Sequence, residues 1–342
     1  MKRWLHLLAL LAWVSVAGNL PAQVDSIHMS EMNGADHGSW HIRVPLNVIV
    51  ITQIAPPANT VLGGKYWAMD SLSQSQGKLG SVADILRELP SFSMKRYAPG
   101  GLSSPTMRGT GAGHTQIFWE GLPLNSPLLG QQDFALSGGG LFNHVEARYG
   151  GNSLLQGAGG LGGAILLGST SAANDLKPIA ISFSQQVGSF GSIGSHLNLH
   201  FASKHFTSST KVYWNSARND FPFVNSGKLG NPVERLPNAA IQQMGVLQEF
   251  GYMWNRHQFN LKIWALHSER NLPPTMLALN TLESQSDRAL RSLLTWRQYL
   301  RQAQLKTDVA YFQEQLTYRN PTAGILAPSS FGRIMAESQV MR

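Results

Sequence analysis

The chain has 342 residues, 34 glycines, no cysteine, and charged residues make up only 13% of it. The absence of cysteine excludes a disulfide scaffold, a thiolate zinc site and a cysteine nucleophile. Low charge combined with abundant glycine is typical of many short strands joined by turns, and not of a helical enzyme.

The basic residues are scattered along the sequence. The formal net charge is +8, yet no run of five or six Lys or Arg residues occurs. A nucleic-acid interface concentrates such residues on one stretch or face, so we predict no nucleic-acid partner. Outer-membrane lipid, through anionic headgroups or lipopolysaccharide, is the better match to a dispersed positive charge.

The N-terminus has the pattern of a signal peptide, predicted over residues 1–22. Lys2 and Arg3 form a basic start, residues 4–17 are apolar, and Ala22 ends a small-residue cleavage point, with Gly18 as an alternative. The apolar run is shorter than the about 20 residues that a transmembrane helix needs. No second run of that length follows, so the sequence predicts an exported protein that would cross a membrane only with strands.

Residues 23–45 are polar and aperiodic, which predicts a flexible leader, and residues 46–171 predict a small α+β domain. Ser81 and Asp84 have the spacing of a capping box, and Pro90 is expected to end the helix. The apolar residues of that helix recur at helical spacing: Val82, Ile85, Leu86 and Leu89. From residue 92 to about residue 169, short β-rich segments alternate with Gly, Pro and Asn turns.

Beyond residue 171 apolar and polar residues alternate over strand-length segments, as where Leu261 and Ile263 flank Lys262. A period of two places one set of side chains on each face of a sheet. In a barrel that spans lipid, the apolar set faces outward and the polar set faces the lumen. Aromatic residues that could form an interfacial girdle are Trp254, Trp264, Trp296, Tyr299, Tyr311 and Phe312.

The connections between these strands favour a membrane barrel over the alternative, a soluble β-sandwich. They are short at 204–208, at 255–257 and near Gln302, and long at 218–238, at 269–286 and from Asn320 on. Alternating short and long connections are typical of periplasmic turns and extracellular loops. We predict that residues 172–342 supply roughly seven or eight antiparallel β strands of an incomplete transmembrane β-barrel.

Two patterns resemble known sites but lack the necessary context. Residues 157–162 match G-x-G-x-x-G, which opens a helix in dinucleotide-binding proteins, whereas residues 164–167 predict a strand. His196 and His200 are four residues apart on a predicted strand, without a third ligand nearby, which favours lumen-facing polar residues. No catalytic motif was found, so we predict no catalytic residue, no metal site and no cofactor.

Four segments, in order, resemble the plug domain of TonB-dependent outer-membrane receptors. They are VIVIT (48–52), SVADILRELPSFSM (81–94), PTMRGTGAGHTQIFWEGLPLNSP (105–127) and HVEARYGGNSLLQGAGGLGGAI (144–165). The sequence HTQIFWEGLPLN, followed by SPLLGQQD, is most similar to that of vitamin B12 receptor-like members. Such receptors close a barrel of about 22 strands around the plug, so we expect this chain to hold a barrel truncated after its first strands.

The resemblance implies a receptor of the cell outer membrane for TonB-dependent uptake of a scarce nutrient, such as a corrinoid or a ferric siderophore. The alternatives are a truncated, non-transporting remnant and a plug-like exported binding protein. An extended, β-branched segment before a Pro-Pro turn is suited to strand addition on a partner's sheet edge. The segment resembling the Ton box, which would bind the C-terminal domain of TonB, comprises Val48, Ile49, Val50, Ile51 and Thr52.

The resemblance also implies roles for individual residues. The small-molecule ligand, a corrinoid or metal chelate, would contact apical plug loops, with an ordinary structural turn as the alternative role for each loop. Arg108 would be a plug–barrel contact paired with a lumen-facing acid. The candidate ligand-binding residues are Arg96, Tyr97, Pro99, Gly100, Asn125, Ser126, Leu128, Leu129 and Gln131.

Overall fold

The computed structural model describes residues 65–69, 77, 79–88, 92–96, 101–107, 109–126, 130–149, 162–169, 178–277 and 282–341. All of them belong to one compact unit, residues 46–342. The predicted signal peptide, leader and Ton box lie outside the described residues. The described part contains a small α+β domain, residues 65–169, and a large sheet, residues 179–341.

The α+β domain has a five-stranded mixed sheet in the order β1-β6-β7-β4-β5, and a separate β2–β3 hairpin. Among the described strands, only β4 and β7 pair in parallel. Each β-rich segment predicted between residues 92 and 169 forms a strand. The elements are β1 (Lys65–Ala68), α1 (Val82–Arg87), β2 (Phe92–Arg96), β3 (Ser103–Met107), β4 (Thr115–Trp119), β5 (Leu122–Pro123), β6 (His144–Tyr149) and β7 (Gly163–Gly168).

Helix α1 forms where the capping box predicts it. The Asp84 carboxylate accepts hydrogen bonds from the Ser81 amide, at 3.0 Å, and from the Ser81 hydroxyl, at 2.8 Å. Val82, Ile85 and Leu86 are buried in the domain core, as their spacing indicates. Within the described ranges, no helix has both the length and the apolar character to cross a membrane.

The glycine-rich pattern at 157–162 leads into a strand, as the sequence indicates, and not into a helix. Of the residues in this pattern, the structure describes Gly162, and strand β7 starts directly after it at Gly163. A Cβ on Gly163 would lie 2.2 Å from the Met107 sulfur and 2.7 Å from the Arg148 carbonyl oxygen, with φ at +153°. Glycine is therefore required at the start of β7 by close packing. Within the pattern, a Cβ on Gly162 would likewise meet the Thr110 hydroxyl and, at 3.2 Å, the His114 carbonyl oxygen.

The large sheet consists of eight antiparallel strands in the order β17-β16-β15-β14-β13-β10-β9-β8. The remaining two strands, β11 and β12, form a hairpin between β10 and β13. An α+β domain followed by antiparallel strands confirms the predicted fold class. The strands are β8 (Ile179–Gly188), β9 (Ser192–Ala202), β10 (Phe206–Ala217), β11 (Pro222–Val224), β12 (Val233–Arg235), β13 (Ile241–Trp254), β14 (His257–Asn271), β15 (Ser284–Tyr299), β16 (Gln304–Asn320) and β17 (Ile325–Met341).

The two ends of the large sheet differ in their connections. At one end, the short-turn end, the connections are 203–205, 255–256 and 300–303; at the other, the long-connection end, they include 218–240 and 272–283. The predicted long connection after Asn320 is wrong. A tight turn, in which Gly324 adopts φ +67° and donates to the Pro321 carbonyl, leads directly into β17. The connection 189–191, at the long-connection end, is also short.

The strands alternate between an inner face against the α+β domain and an outer face, which confirms the predicted period of two. Ile181 is 70% exposed on the outer face, whereas Lys211 is buried on the inner face. The girdle prediction was wrong for Trp264 and Phe312, which belong to the buried core shared with the α+β domain. Tyr299 also faces inward, where its hydroxyl donates to Gln258 at 2.8 Å.

Tyr213 occupies a slot next to two glycines, Gly138 of the α+β domain and Gly245 of the large sheet. A Cβ on Gly138 would lie 2.6 Å from the ring, and a Cβ on Gly245 would lie 2.3 Å from it. The Tyr213 hydroxyl donates to the Leu136 carbonyl at 2.6 Å, which fixes the ring against the α+β domain. This ring therefore has little freedom to move away from an added methyl group.

We expect Gly138→Ala to lower the free energy of unfolding by about 1–3 kcal/mol, because the added methyl group overpacks the Tyr213 slot. Denaturant titration of the full chain in detergent measures this loss. Gly332→Ala is the matched control, since its Cβ would meet only the Phe312 carbonyl oxygen, at 3.9 Å. An equal loss in both variants would show that the slot is not tightly packed.

Candidate functional site at the interface of the two regions

The interface between the α+β domain and the large sheet has an aromatic layer at its centre. Trp119 and Phe142 of the domain meet Trp264 of the sheet with ring centroids 5.5 Å and 5.3 Å away, both edge to face. Phe312 lies 5.9 Å from Trp119, and the Arg291 guanidinium lies 4.3 Å above the Trp264 ring. This dry contact joins the two regions into one core.

A cluster of four charged side chains lies beside the aromatic layer, toward the short-turn end. The Lys262 ammonium is 2.6 Å from the Glu120 carboxylate of the domain and 3.0 Å from Glu249. Lys211 lies 3.7 Å from Glu249. Two positive and two negative groups are therefore buried together, so each charge has an opposite partner within ion-pair distance. We call this set the ion cluster.

The α+β domain adds further hydrogen bonds to the ion cluster, from its main chain and from the side chains of Ser169 and Asn143. The Lys211 ammonium donates to the carbonyl oxygens of Ser169, at 2.6 Å, and Leu141, at 3.0 Å. The Ser169 amide donates to Glu120 at 2.7 Å. Lys211 thus binds the domain through two backbone oxygens and through the side-chain oxygen of Asn143, at 3.1 Å.

Glu120 reaches the cluster from a tight turn between β4 and β5, in which it adopts φ +54° and Gly121 adopts φ +93°. Burial raises the pKa of the Glu120 carboxyl, but the charge of Lys262 and hydrogen bonds from Lys262 and Ser169 outweigh it and lower the pKa to about 2. The group is therefore ionised at neutral pH, and this side chain provides a fixed negative charge of the domain.

A second ionic contact joins the two regions near the long-connection end. Arg270 lies 2.6 Å from the Asp133 carboxylate of the domain and 3.4 Å from Asp287. The other Asp133 oxygen accepts hydrogen bonds from the Ser103 and Ala135 amides, at 2.9 Å and 3.0 Å. Because backbone amides of the domain fix the Asp133 carboxylate, Arg270 is held at a defined position.

A cavity of about 50 Å³ lies next to this second contact. Its lining includes Ser126 and Gln131 of the domain, and the sheet residue Arg291, whose guanidinium is 2.7 Å from Glu314. A pocket for a drug-sized molecule is about 300–1,000 Å³, so the cavity has room for water and not for a whole chelate.

The described candidate ligand residues differ in their surroundings. Ser126 and Gln131 line the cavity. The amide oxygen of Asn125 accepts from the Ile117 amide at 2.8 Å, and its nitrogen donates to the Thr115 carbonyl at 3.1 Å, which is a structural role. Arg96 ends strand β2. Outside the described residues lie Tyr97, Pro99, Gly100, Arg108, Leu128 and Leu129.

His196 lies on the inner face, where one ring nitrogen is 3.0 Å from the Gly140 carbonyl oxygen. Among the residues that the structure describes, no group of three or more His, Asp or Glu side chains is arranged to hold a metal ion. The His196 contact shows a histidine that packs against the α+β domain.

Sequence reasoning did not identify the residues of the ion cluster or the Asp133–Arg270 pair. The alternating pattern indicated that Lys262 lies on the polar face of a strand. No local pattern indicated its partner Glu120, because the two residues are far apart in sequence and meet only through the turn between β4 and β5.

We expect Glu120→Gln to remove an acid-sensitive part of the stability. Ionised Glu120 stabilises the folded state above its unfolded pKa of 4.5, and that contribution, about 3 kcal/mol, is lost as pH falls from 4.5 to about 2. Denaturant titrations of the native chain across this pH range should show the loss, and the variant should show a smaller one. Glu88→Gln, at an exposed helix end, is the control and should keep the native profile.

Comparison with known proteins agrees with this architecture. Residues 69–164 match the family model described as the TonB-dependent Receptor Plug Domain. This range covers most of the described α+β domain and includes both Glu120 and Asp133.

Solved structures with a similar fold include an iron transporter, FrpB, of Neisseria meningitidis, with TM-score 0.63 and 14% identity over 81% of this chain and 46% of that one. The siderophore receptor PiuA of Acinetobacter baumannii gives TM-score 0.58 and 13% identity over 81% and 41%. The siderophore receptor PirA of the same organism gives 0.56 and 13% over 83% and 45%.

The chain spans less than half the length of these structures. At such low identity the likeness concerns the fold. Residues 69–164 thus match the model of the TonB-dependent receptor plug domain, and the chain as a whole is similar in fold to part of these receptor and transporter structures.

Proposed function

We propose that this chain is the first part of an outer-membrane receptor for TonB-dependent uptake of a scarce nutrient. The observation that carries the proposal is the matched plug domain, held on the inner face of the antiparallel sheet through the buried ion cluster. A domain fixed in this way can close a passage and can also be displaced from it, because every contact across the interface is non-covalent. Binding and transport, and not catalysis, are the activities that this arrangement serves.

The outer face of the large sheet supports a membrane location. Ile179, Ile181 and Phe183 are each more than half exposed along β8, and they alternate with smaller or polar residues. A soluble protein rarely exposes contiguous apolar surface of this kind, whereas a lipid-facing strand requires it. This favours the membrane receptor over the plug-like soluble binding protein.

The partner that we propose in the periplasm is the C-terminal domain of TonB, bound at Val48, Ile49, Val50, Ile51 and Thr52. An extended β-branched segment can pair with a sheet edge through main-chain hydrogen bonds. Force applied there would reach the plug domain through residues 53–64. The ion cluster and the Asp133–Arg270 pair would then be among the contacts that must break before a passage opens.

We expect Val50→Pro to weaken binding of the purified TonB C-terminal domain to the full chain by at least about tenfold, because proline removes a ladder hydrogen bond and restricts the preceding residue. Isothermal titration calorimetry measures the affinity. Ile27→Pro, in the predicted leader, is the matched control and should bind like the native chain. Equal affinities for native, Val50→Pro and Ile27→Pro proteins would contradict the assignment of the Ton box.

The ligand that we propose is a corrinoid or a ferric siderophore. Siderophore receptors are among the similar solved structures. The sequence of residues 114–133 resembles that of vitamin B12 receptor-like members. Within that segment, Asn125 and Asp133 have structural roles in the plug domain, so their presence does not separate the two ligand classes. Ser126 and Gln131 remain candidates because they lie near the long-connection end, where a ligand would approach from outside; the cavity that they line has room for water only.

We expect Gln131→Ala to weaken ligand binding about two- to tenfold, the loss of one net hydrogen bond. Cyanocobalamin and a ferric catecholate chelate are the two probes, each titrated against the full chain by fluorescence quenching. Gln242→Ala, on the outer face of β13, is the control and should not change either affinity. If Gln131→Ala leaves the affinity of the bound probe unchanged, Gln131 is not part of the ligand site.

A further inference from the structure

Each connection at the short-turn end presents one exposed basic side chain. Lys204, Arg256 and Arg301 lie in the turns β9–β10, β13–β14 and β15–β16, and all three are exposed. Successive turns in this series are two strands apart in the sheet, which spaces them by roughly 10 Å. We call these three residues the basic rim.

The charge around the basic rim is of one sign. Residues 200–208, 252–259 and 297–306 contain five Lys or Arg residues and no Asp or Glu. Of the other two cations, Arg297 lies on the inner face and Lys306 pairs with Asp308 at 2.7 Å. The long-connection end differs, since there Lys228 pairs with Glu234 at 2.6 Å and Arg235 with Asp220 at 3.7 Å.

An aromatic belt lies on the outer face next to the basic rim. The Phe206 ring centroid is 6.4 Å from Phe201 and 6.2 Å from Phe250. Further along the belt, the His257 ring lies 6.0 Å from Trp254 and 5.9 Å from Trp296. Trp254 is 57% exposed and Leu300, beside Arg301, is 51% exposed. Aromatic rings in such a position mark the boundary between hydrocarbon and headgroups.

We propose that the basic rim and the aromatic belt form a binding surface for anionic phospholipid headgroups, such as phosphatidylglycerol. The ammonium and guanidinium groups would bind the lipid phosphodiester, while the acyl chains pack against the belt. Long basic side chains bury their stems on apolar surface and extend their charge to the headgroup level, and each attracts an anionic surface. The proposal rests on the membrane location proposed above and adds the lipid class and the residues that select it.

The test is a titration of the full chain, in neutral detergent, with phosphatidylglycerol and separately with phosphatidylcholine. Bound lipid is counted by native mass spectrometry, and tryptophan fluorescence follows binding near the belt. We expect the native chain to prefer phosphatidylglycerol, and the triple variant Lys204→Gln/Arg256→Gln/Arg301→Gln to raise its dissociation constant about tenfold at low salt. The preference should weaken as salt screens the charges.

The matched control, Arg218→Gln/Arg288→Gln/Arg319→Gln, removes three exposed charges at the long-connection end and should retain the preference. Glycerophosphate, which lacks acyl chains, should not displace the lipid. Equal binding of both lipids by the native chain, an equal loss in the control, or displacement by glycerophosphate would overturn the proposal. Failure of the membrane location itself would be distinct, because the native chain would then remain in solution when phosphatidylcholine vesicles are sedimented.

Discussion

Two lysines buried on the inner face constrain how the α+β domain can sit against the large sheet. Lys211 and Lys262 are nearly inaccessible to solvent once the domain is in place, and a buried ammonium group without partners costs several kcal/mol. Glu249 alone cannot satisfy both. The domain supplies Glu120, the carbonyl oxygens of Ser169 and Leu141, the Ser169 hydroxyl and the Asn143 side chain. It therefore has to dock with β4, β7 and the segment before β6 in one register.

Attraction and specificity come from different parts of the interface. The rings around Trp119 and Trp264 bury apolar surface, which favours contact over a range of orientations. Ion pairs add little net stability once desolvation is counted, but a misplaced domain would leave them unpaired at high cost. The aromatic layer therefore holds the domain, and the ion cluster together with Asp133–Arg270 sets its position. Such an interface can be specific without being too stable to open.

Local patterns in the sequence predicted the elements well, because capping, period-two alternation and glycine turns act over a few residues. Helix α1 and the two faces of β14 are examples. The sequence could not identify what covers the inner face, so Trp264 and Phe312 were assigned to a lipid boundary when they belong to the core. The turn after Asn320 was missed because Pro, Thr, Ala and Gly suit both a loop and a tight hairpin. Pairs such as Asp133–Arg270 depend on register between distant segments, which no local pattern encodes.

The ion cluster is electrically neutral only while both regions contribute to it. The sheet supplies two cations and one anion, and the α+β domain supplies the second anion, Glu120. Withdrawal of the domain would leave the large sheet with one uncompensated positive charge. In the receptor that we propose, the inner face without the α+β domain would therefore have a more positive potential than the covered inner face, and it would attract an anionic solute more strongly than a cationic one.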